Sequence, residues 1–414
     1  MMTALNNDPP INRNNSHSLR QIILFLTSQT ISLFGSSIVA YAIIWYVTLT
    51  TASGFMMTIS TLCSFLPQIL VSLFAGVWAD RYHRKYLIIL ADALISLATL
   101  VLAILFFMGY QELWLLFLVS GIRSFGAGIQ APAVNALIPQ LVPENKLMKI
   151  NGINGSIQSL TFIVAPAISG GLLTVFPLEY TFLIDIITAM IAVGILFFIP
   201  IPIHSKALEK RVASVLSDLK EGLNFIHHDR FIKTLFIYYA LIMFFITPAA
   251  FLTPLLITRL YGGEIWRLTL NEVFFSGGTM FGGIIITIWG GYNRRIKTIS
   301  VGSFVFGLAI AAMGLAPNFI LYLLFIFASG LAIPFFSVPT TVLLQEQVDA
   351  DIQGRIFSIL QLIGTTALPL GMLIFGPMAD YIPIEFLLII TGILTTLCGF
   401  SIIKNKSLAT EKNR

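Results

Sequence analysis

Charge is scarce in this 414-residue chain: Asp, Glu, Lys and Arg together make up 10% of it, against 57% hydrophobic residues. At a mean hydropathy of +0.90, too little polar surface is left to face water, which excludes a water-soluble globular domain. Cysteine is nearly absent. Cys63 and Cys398 both fall inside apolar runs, so neither a disulfide framework nor a thiolate metal site is expected, and buried thiols account for them. The five histidines, His17, His83, His204, His227 and His228, lie outside those runs and apart from acids at ligand spacing. That leaves nothing from which to assemble a membrane-face catalytic or metal centre, and no cofactor is expected. No Gly-Lys pair occurs, which removes the phosphate-cradling loop of an ATP-driven pump. No filter-like ring of carbonyls or charges speaks for a channel. Residues 1–19 are polar and lack a short apolar core with a small-residue cleavage site, so the first apolar run is expected to be an uncleaved anchor.

What the chain does have is a succession of apolar runs. A helix needs about 20 such residues to cross a ~30 Å hydrocarbon core. That ruler gives spans near 21–48, 55–79, 86–108, 113–137, 150–176, 179–201, 231–259, 269–290, 298–316, 319–344, 357–379 and 385–403. The pair 298–316 and 319–344 is divided only by Pro317 and Asn318. The longest polar stretch splits the spans six and six. The expected architecture is therefore an all-α integral membrane protein of twelve transmembrane helices in two pseudo-symmetric six-helix bundles. Its parts are a tail over 1–19, a bundle over 20–201, a linker over 202–230, a bundle over 231–404 and a tail over 405–414. Within the linker, Val212, Val215, Leu216, Leu219, Leu223 and Ile226 recur at helical spacing, which predicts a surface amphipathic helix.

The formal charge of +5 invites a nucleic-acid reading, which the placement of the basic residues excludes. If residue 1 starts in the cytoplasm, 21 of the 24 lysines and arginines fall on cytoplasmic segments. Only Arg259 and Arg267 fall outside, and Arg123 lies within a span. This is the positive-inside bias, and it puts both termini in the cytoplasm.

The hairpin after the second span reads Gly76, Asp80, Arg81, Arg84, Lys85. Plain positive-inside charge explains its three bases but not its acid. The Gly-x-x-x-Asp-Arg-x-x-Arg-Lys spacing resembles the signature between the second and third helices of major facilitator superfamily transporters. An echo without the acid follows the eighth span at Gly290, Gly291, Arg294, Arg295 and Lys297. The run from Ala131 to Glu144, the segment Gly330 to Ser337, Gln345-Glu346, Gly354 to Ser358, Asn271-Glu272 and Ala91-Asp92 are similar to the macrolide-efflux (Mef-type) branch and its enterobactin-exporter relatives. Pro166, Gly170 and Gly171 only approximate the antiporter motif, because Ala165 stands where a glycine is expected and the spacing is longer by one. The resemblance implies alternating access, with the hairpin as latch of the outward-open state and a monomer as the working unit.

Charges inside the spans need an account of their own. Arg123 sits ten residues into span 4, roughly 15 Å down. A guanidinium there costs about 2.5–3.5 kcal/mol, so it must meet a polar cavity or an anion. Asp92 and Asp185 each differ from it in depth by about 6 Å, within reach of an extended Arg. The resemblance matches Arg123 to an arginine used in proton coupling, while placing spans 3 and 6 outside the cavity, which favours packing for the two acids. Arg123, Asp92 and Asp185 are the candidate proton-coupling groups, the alternative being a structural ion pair.

Polar stripes mark candidate cavity faces: Ser32 and Ser36 in span 1, Ser64 and Gln68 in span 2, Asn154 and Gln158 in span 5, Gln361 and Thr365 in span 11, with Tyr238 in span 7. Helix–helix hydrogen bonding is the competing account of such residues. The doubled glycines Gly277-Gly278 and Gly282-Gly283 point to close helix packing. Aromatic and neutral-polar lining suits a bulky amphipathic solute. The expected function is export of such a molecule, macrolide-like or siderophore-like, in exchange for protons, with lipid as the surrounding partner and no nucleic acid. Import of a small organic nutrient is the alternative and a membrane enzyme a remote one.

Overall fold

The structure is a computed structural model that describes residues 15–142, 144–200 and 214–408; of side chains, those of Gly76, Asp80 and Arg81 also lie outside the described set. The tail over 1–14, linker residues 201–213 and the last six residues lie outside it too.

The described chain is helical throughout. In a bilayer no water is available to satisfy an open backbone, so apolar runs of this length close their hydrogen bonds within the helix. The first half forms α1 (Asn15–Thr51), α2 (Gly54–Arg81), α3 (Arg84–Phe107), α4 (Leu113–Leu141), α5 (Glu144–Val175) and α6 (Leu178–Phe198). A linker helix α7 (Ser214–His228) follows. The second half forms α8 (Arg230–Phe245), α9 (Thr247–Phe251), α10 (Thr253–Leu260), α11 (Ile265–Trp289), α12 (Arg295–Gly314), α13 (Phe319–Gln347), α14 (Ala350–Met378) and α15 (Ile384–Lys404). Eleven of these are long and apolar enough to cross a membrane. The expected seventh span, 231–259, is instead three pieces, α8 to α10. Pro248 and Pro254 each sit in the first turn of a new piece, where a missing N–H costs nothing.

Local chemistry sets the breaks. Asn318 accepts a bond from the Leu321 N–H at 2.9 Å and so starts α13, separating it from α12. Asp229 does the same for α8 through the Ile232 N–H at 2.9 Å, and Gly290 ends α11 in the left-handed region at φ 75°.

Helices α1 to α6 pack chiefly on one another, as do α8 to α15. Small residues allow the closest approaches. A Cβ at Gly278 would stand 2.1 Å from the Phe327 carbonyl, and one at Gly282 would stand 2.2 Å from that of Leu331. Helices α11 and α13 therefore touch backbone to backbone. A Cβ at Gly277 would meet only an ordinary contact, 3.9 Å from the Phe327 ring, and one at Gly283 open space, so one glycine of each doublet serves the packing. Outward-facing Phe198, Ile288 and Ile320 are more than 70% exposed, apolar surface suited to lipid rather than water. Helix α7 rests on α14 through Gly222 and Ile226, with Arg355 Nη1 donating to Glu221 Oε1 at 2.7 Å, while Leu223 stays exposed.

Candidate functional site

At the face where α1 begins, the tail side, the α2–α3 hairpin holds helix ends together. Arg84 donates from Nε to the Ala79 carbonyl at 2.9 Å and from Nη1 to that of Ala136 at 2.6 Å. Lys85 Nζ donates to the carbonyls of Phe197 and Ile199 at 2.8 and 2.7 Å. These two cations thus sit at the carboxyl ends of α2, α4 and α6, where the helix dipoles are negative.

The intramembrane charges separate into two sets within the first bundle. Arg123, buried, forms an ion pair with Asp185 and a hydrogen bond with the Thr99 hydroxyl, and its Nη2 donates to the Ser36 carbonyl at 3.2 Å. Asp185 also accepts from the Ser36 hydroxyl at 2.9 Å. Asp92 is not brought to Arg123. Its Oδ1 accepts from Ser32 Oγ at 2.9 Å and Gln130 Nε2 at 2.6 Å, whereas its buried Oδ2 has no partner among the described residues. Ser32 and Ser36, read from the sequence as cavity residues, are here the hydroxyls that serve the two acids.

Between the bundles lies a cavity of about 950 Å³. Helix α1 contributes Tyr41 to its wall. From α5 come Gly152, Gly155, Ser156 and Ser159, and from α11 Glu272, Phe275, Ser276 and Thr279. The α5 residues follow one helical stripe, offset by a single position from Asn154 and Gln158. The other expected polar residues lie elsewhere. Ser64 Oγ donates to the Ser60 carbonyl at 2.8 Å. The Gln68 N–H, next to the helix-breaking ring of Pro67, turns to Ser124 Oγ at 3.0 Å. Tyr238 Oη lies 2.7 Å from Ser401 Oγ on α15. Thr365 Oγ1 donates to the Gln361 carbonyl at 2.9 Å.

Glu272 escaped the sequence reading as a site residue. The sequence marks Asn271-Glu272 only through a resemblance, although a carboxylate seven residues into an apolar helix is itself a signal.

On the opposite face the bundles are joined. Asp380, in the turn after α14, accepts from the Gly54 and Phe55 N–H groups at 2.7 and 2.9 Å and from Ser53 Oγ at 2.9 Å. Arg259 pairs with Asp380 at 2.9 Å and donates to the Ala52 carbonyl at 2.7 Å. Burial works to raise the Asp380 carboxyl, but the Phe55 and Gly54 N–H groups, Ser53 and Arg259 outweigh it and hold it below the ordinary carboxylate range. Nearby, Thr58 Oγ1 lies 3.2 Å from the Met372 carbonyl, and a Cβ at Gly376 would strike the Thr58 hydroxyl.

The chain is 31% identical over 368 residues to macrolide efflux protein A of Streptococcus pyogenes, covering 88% of this chain and 91% of that one. It is 26% identical over 385 residues to the staphyloferrin A transporter of Staphylococcus aureus, covering 90% and 93%. Its fold is like that of a POT family transporter solved in complex with 5-aminolevulinic acid, with a TM-score of 0.71 at 15% identity over 93% of this chain and 96% of that one. The family model described as Major Facilitator Superfamily matches residues 25–365, and with two helical bundles meeting around a cavity the chain belongs to that family of membrane transporters.

Proposed function

We propose that this transporter exports an amphipathic small molecule, macrolide-like or siderophore-like, in exchange for protons by alternating access. It works as a monomer in the bacterial cytoplasmic membrane, with the tail side in the cytoplasm. The observation that carries this reading is the cavity of about 950 Å³ between the bundles, with the bundles joined at the face opposite the tail. A bulky solute fits that volume and its aromatic, apolar and hydroxyl walls. The basic residues crowd the tail side, which supports a cytoplasmic tail side and a cavity loaded from within. Relatives named for macrolide efflux and staphyloferrin A transport fit the same cargo range.

In this reading Arg123, Asp185 and Asp92 couple proton movement to rocking of the bundles. Asp92 is the exchange site, because its buried Oδ2 has no hydrogen-bond partner among the described residues and can take a proton. Gly76, Asp80, Arg81, Arg84 and Lys85 form the tail-side latch of the alternate state. The test uses everted vesicles energised to an acid interior. Erythromycin is expected to accumulate, to release lumenal protons as it enters, and to lose its accumulation when a protonophore is added. Accumulation indifferent to the protonophore would overturn the exchange mechanism. Accumulation of neither erythromycin nor a catechol siderophore would overturn export.

A further inference from the structure

Among the described residues that line the inter-bundle cavity, one is acidic, Glu272, and none is basic. Its Oε1 accepts from Asn271 Nδ2 at 3.1 Å, and buried Asn271 is itself fixed by the Tyr322 hydroxyl, which donates to its Oδ1 at 2.6 Å. The carboxylate is therefore aimed. Its second oxygen has no hydrogen-bond donor among the described residues, yet it is not sealed off from the cavity. The contrast with Asp185 is informative. That acid is paired to Arg123 inside the first bundle, whereas no ion pair forms at Glu272 among the described residues. A carboxylate left without a counter-charge in a low-dielectric wall costs free energy that a cation arriving in the cavity returns.

The surroundings define that cation. Tyr41, Phe162 and Phe275 offer rings, and Leu160, Ile163 and Met280 offer apolar surface. Ring faces attract cations, and the volume exceeds what a metal ion or a simple ammonium group would fill. We propose that Glu272 is the counter-ion for a bulky amphipathic monocation, a protonated or quaternary amine on a large apolar frame, and that the cavity rejects anions of the same size. The proposal rests on the exporter reading and narrows its cargo, setting aside the anionic, siderophore-like half.

Tetraphenylphosphonium and tetraphenylborate have nearly the same size and shape and opposite charge. Binding of each to the purified full-length protein in nanodiscs is measured by fluorescence titration, with empty nanodiscs as background. Wild-type protein is expected to bind the cation at least about tenfold more tightly than the anion. Glu272→Gln, which keeps an acceptor for Asn271, is expected to weaken cation binding about tenfold while leaving the anion unchanged or improved, and Glu272→Asp to restore part of the loss. Equal binding of the two ions by wild-type protein, cation binding untouched in Glu272→Gln, or no binding of either ion would each overturn the inference. The wild-type comparison decides this even if a variant folds poorly. Proton-linked erythromycin accumulation persisting alongside such a result would leave the exporter reading standing, and its absence would remove both.

Discussion

The Asp380 carboxylate lies 2.7 Å from the backbone nitrogen of Gly54, so an acid from the second bundle caps the first turn of a helix in the first. The positive end of α2, from the first half, and the Arg259 guanidinium, from the second, converge on this one carboxylate of the second half. The joint closes the face opposite the tail.

Asp380→Ala is expected to loosen that face. A lost cap and a lost, partly exposed ion pair together amount to about 1–2 kcal/mol, a shift of about 5- to 30-fold in the balance of closed and open forms. A spin label at Thr58→Cys, buried beside Met372, should become correspondingly more accessible to a water-soluble paramagnetic reagent. Unchanged accessibility would show that the joint does not hold the face shut.

The same joint should respond to acid. Because the Asp380 carboxyl is held below its usual value, its stabilisation is complete above that usual value of about 3.9 and is lost as pH falls through the lower folded-state value. Label accessibility at position 58 should stay flat from about pH 7 to 5 and rise below about 4, and it should lose this dependence in Asp380→Asn. A rise already complete at neutral pH would place the controlling group elsewhere.

Arg123 and Asp92 should fail in different ways. Arg123→Ala strands Asp185 in a buried setting, and removing one partner of such a pair costs about 3–5 kcal/mol. Thermal denaturation should show the loss, and Arg123→Met combined with Asp185→Leu should recover most of it. Asp92→Asn keeps an acceptor for Ser32 and Gln130, so cargo counterflow should persist while proton-driven accumulation disappears. Wild-type accumulation in Asp92→Asn would remove that residue from coupling.

Gly278→Ala forces a methyl group against the Phe327 carbonyl. Overpacking of this kind costs about 1–3 kcal/mol, so the purified variant should melt several degrees lower. Gly277→Ala, with its nearest neighbour 3.9 Å away, should melt like wild type. Equal melting of the two variants would contradict the backbone contact between α11 and α13.

Much of the architecture was legible because lipid imposes a simple ruler on apolar runs. Even the narrow break at Pro317 and Asn318 carried its own cause, the Asn318 cap. The break within the seventh span was written in Pro248 and Pro254, but hydropathy passes over it because all three pieces are apolar. Pairings were harder to read. Depth alone placed Asp92 and Asp185 equally near Arg123, and only the rotation of α3 and α6 about their axes sends one acid to the guanidinium and the other to Ser32 and Gln130. The Asp380–Gly54 joint spans 326 residues of sequence and looks from either end like an ordinary turn.

The bare ridge of Gly278 and Gly282 has a mechanical consequence for Glu272, which rides on the same rod. With no side chains to act as bearings, α11 cannot slide or spin against α13. Relocating the acid therefore means hauling α13 along, together with its neighbour α12, as a single chassis.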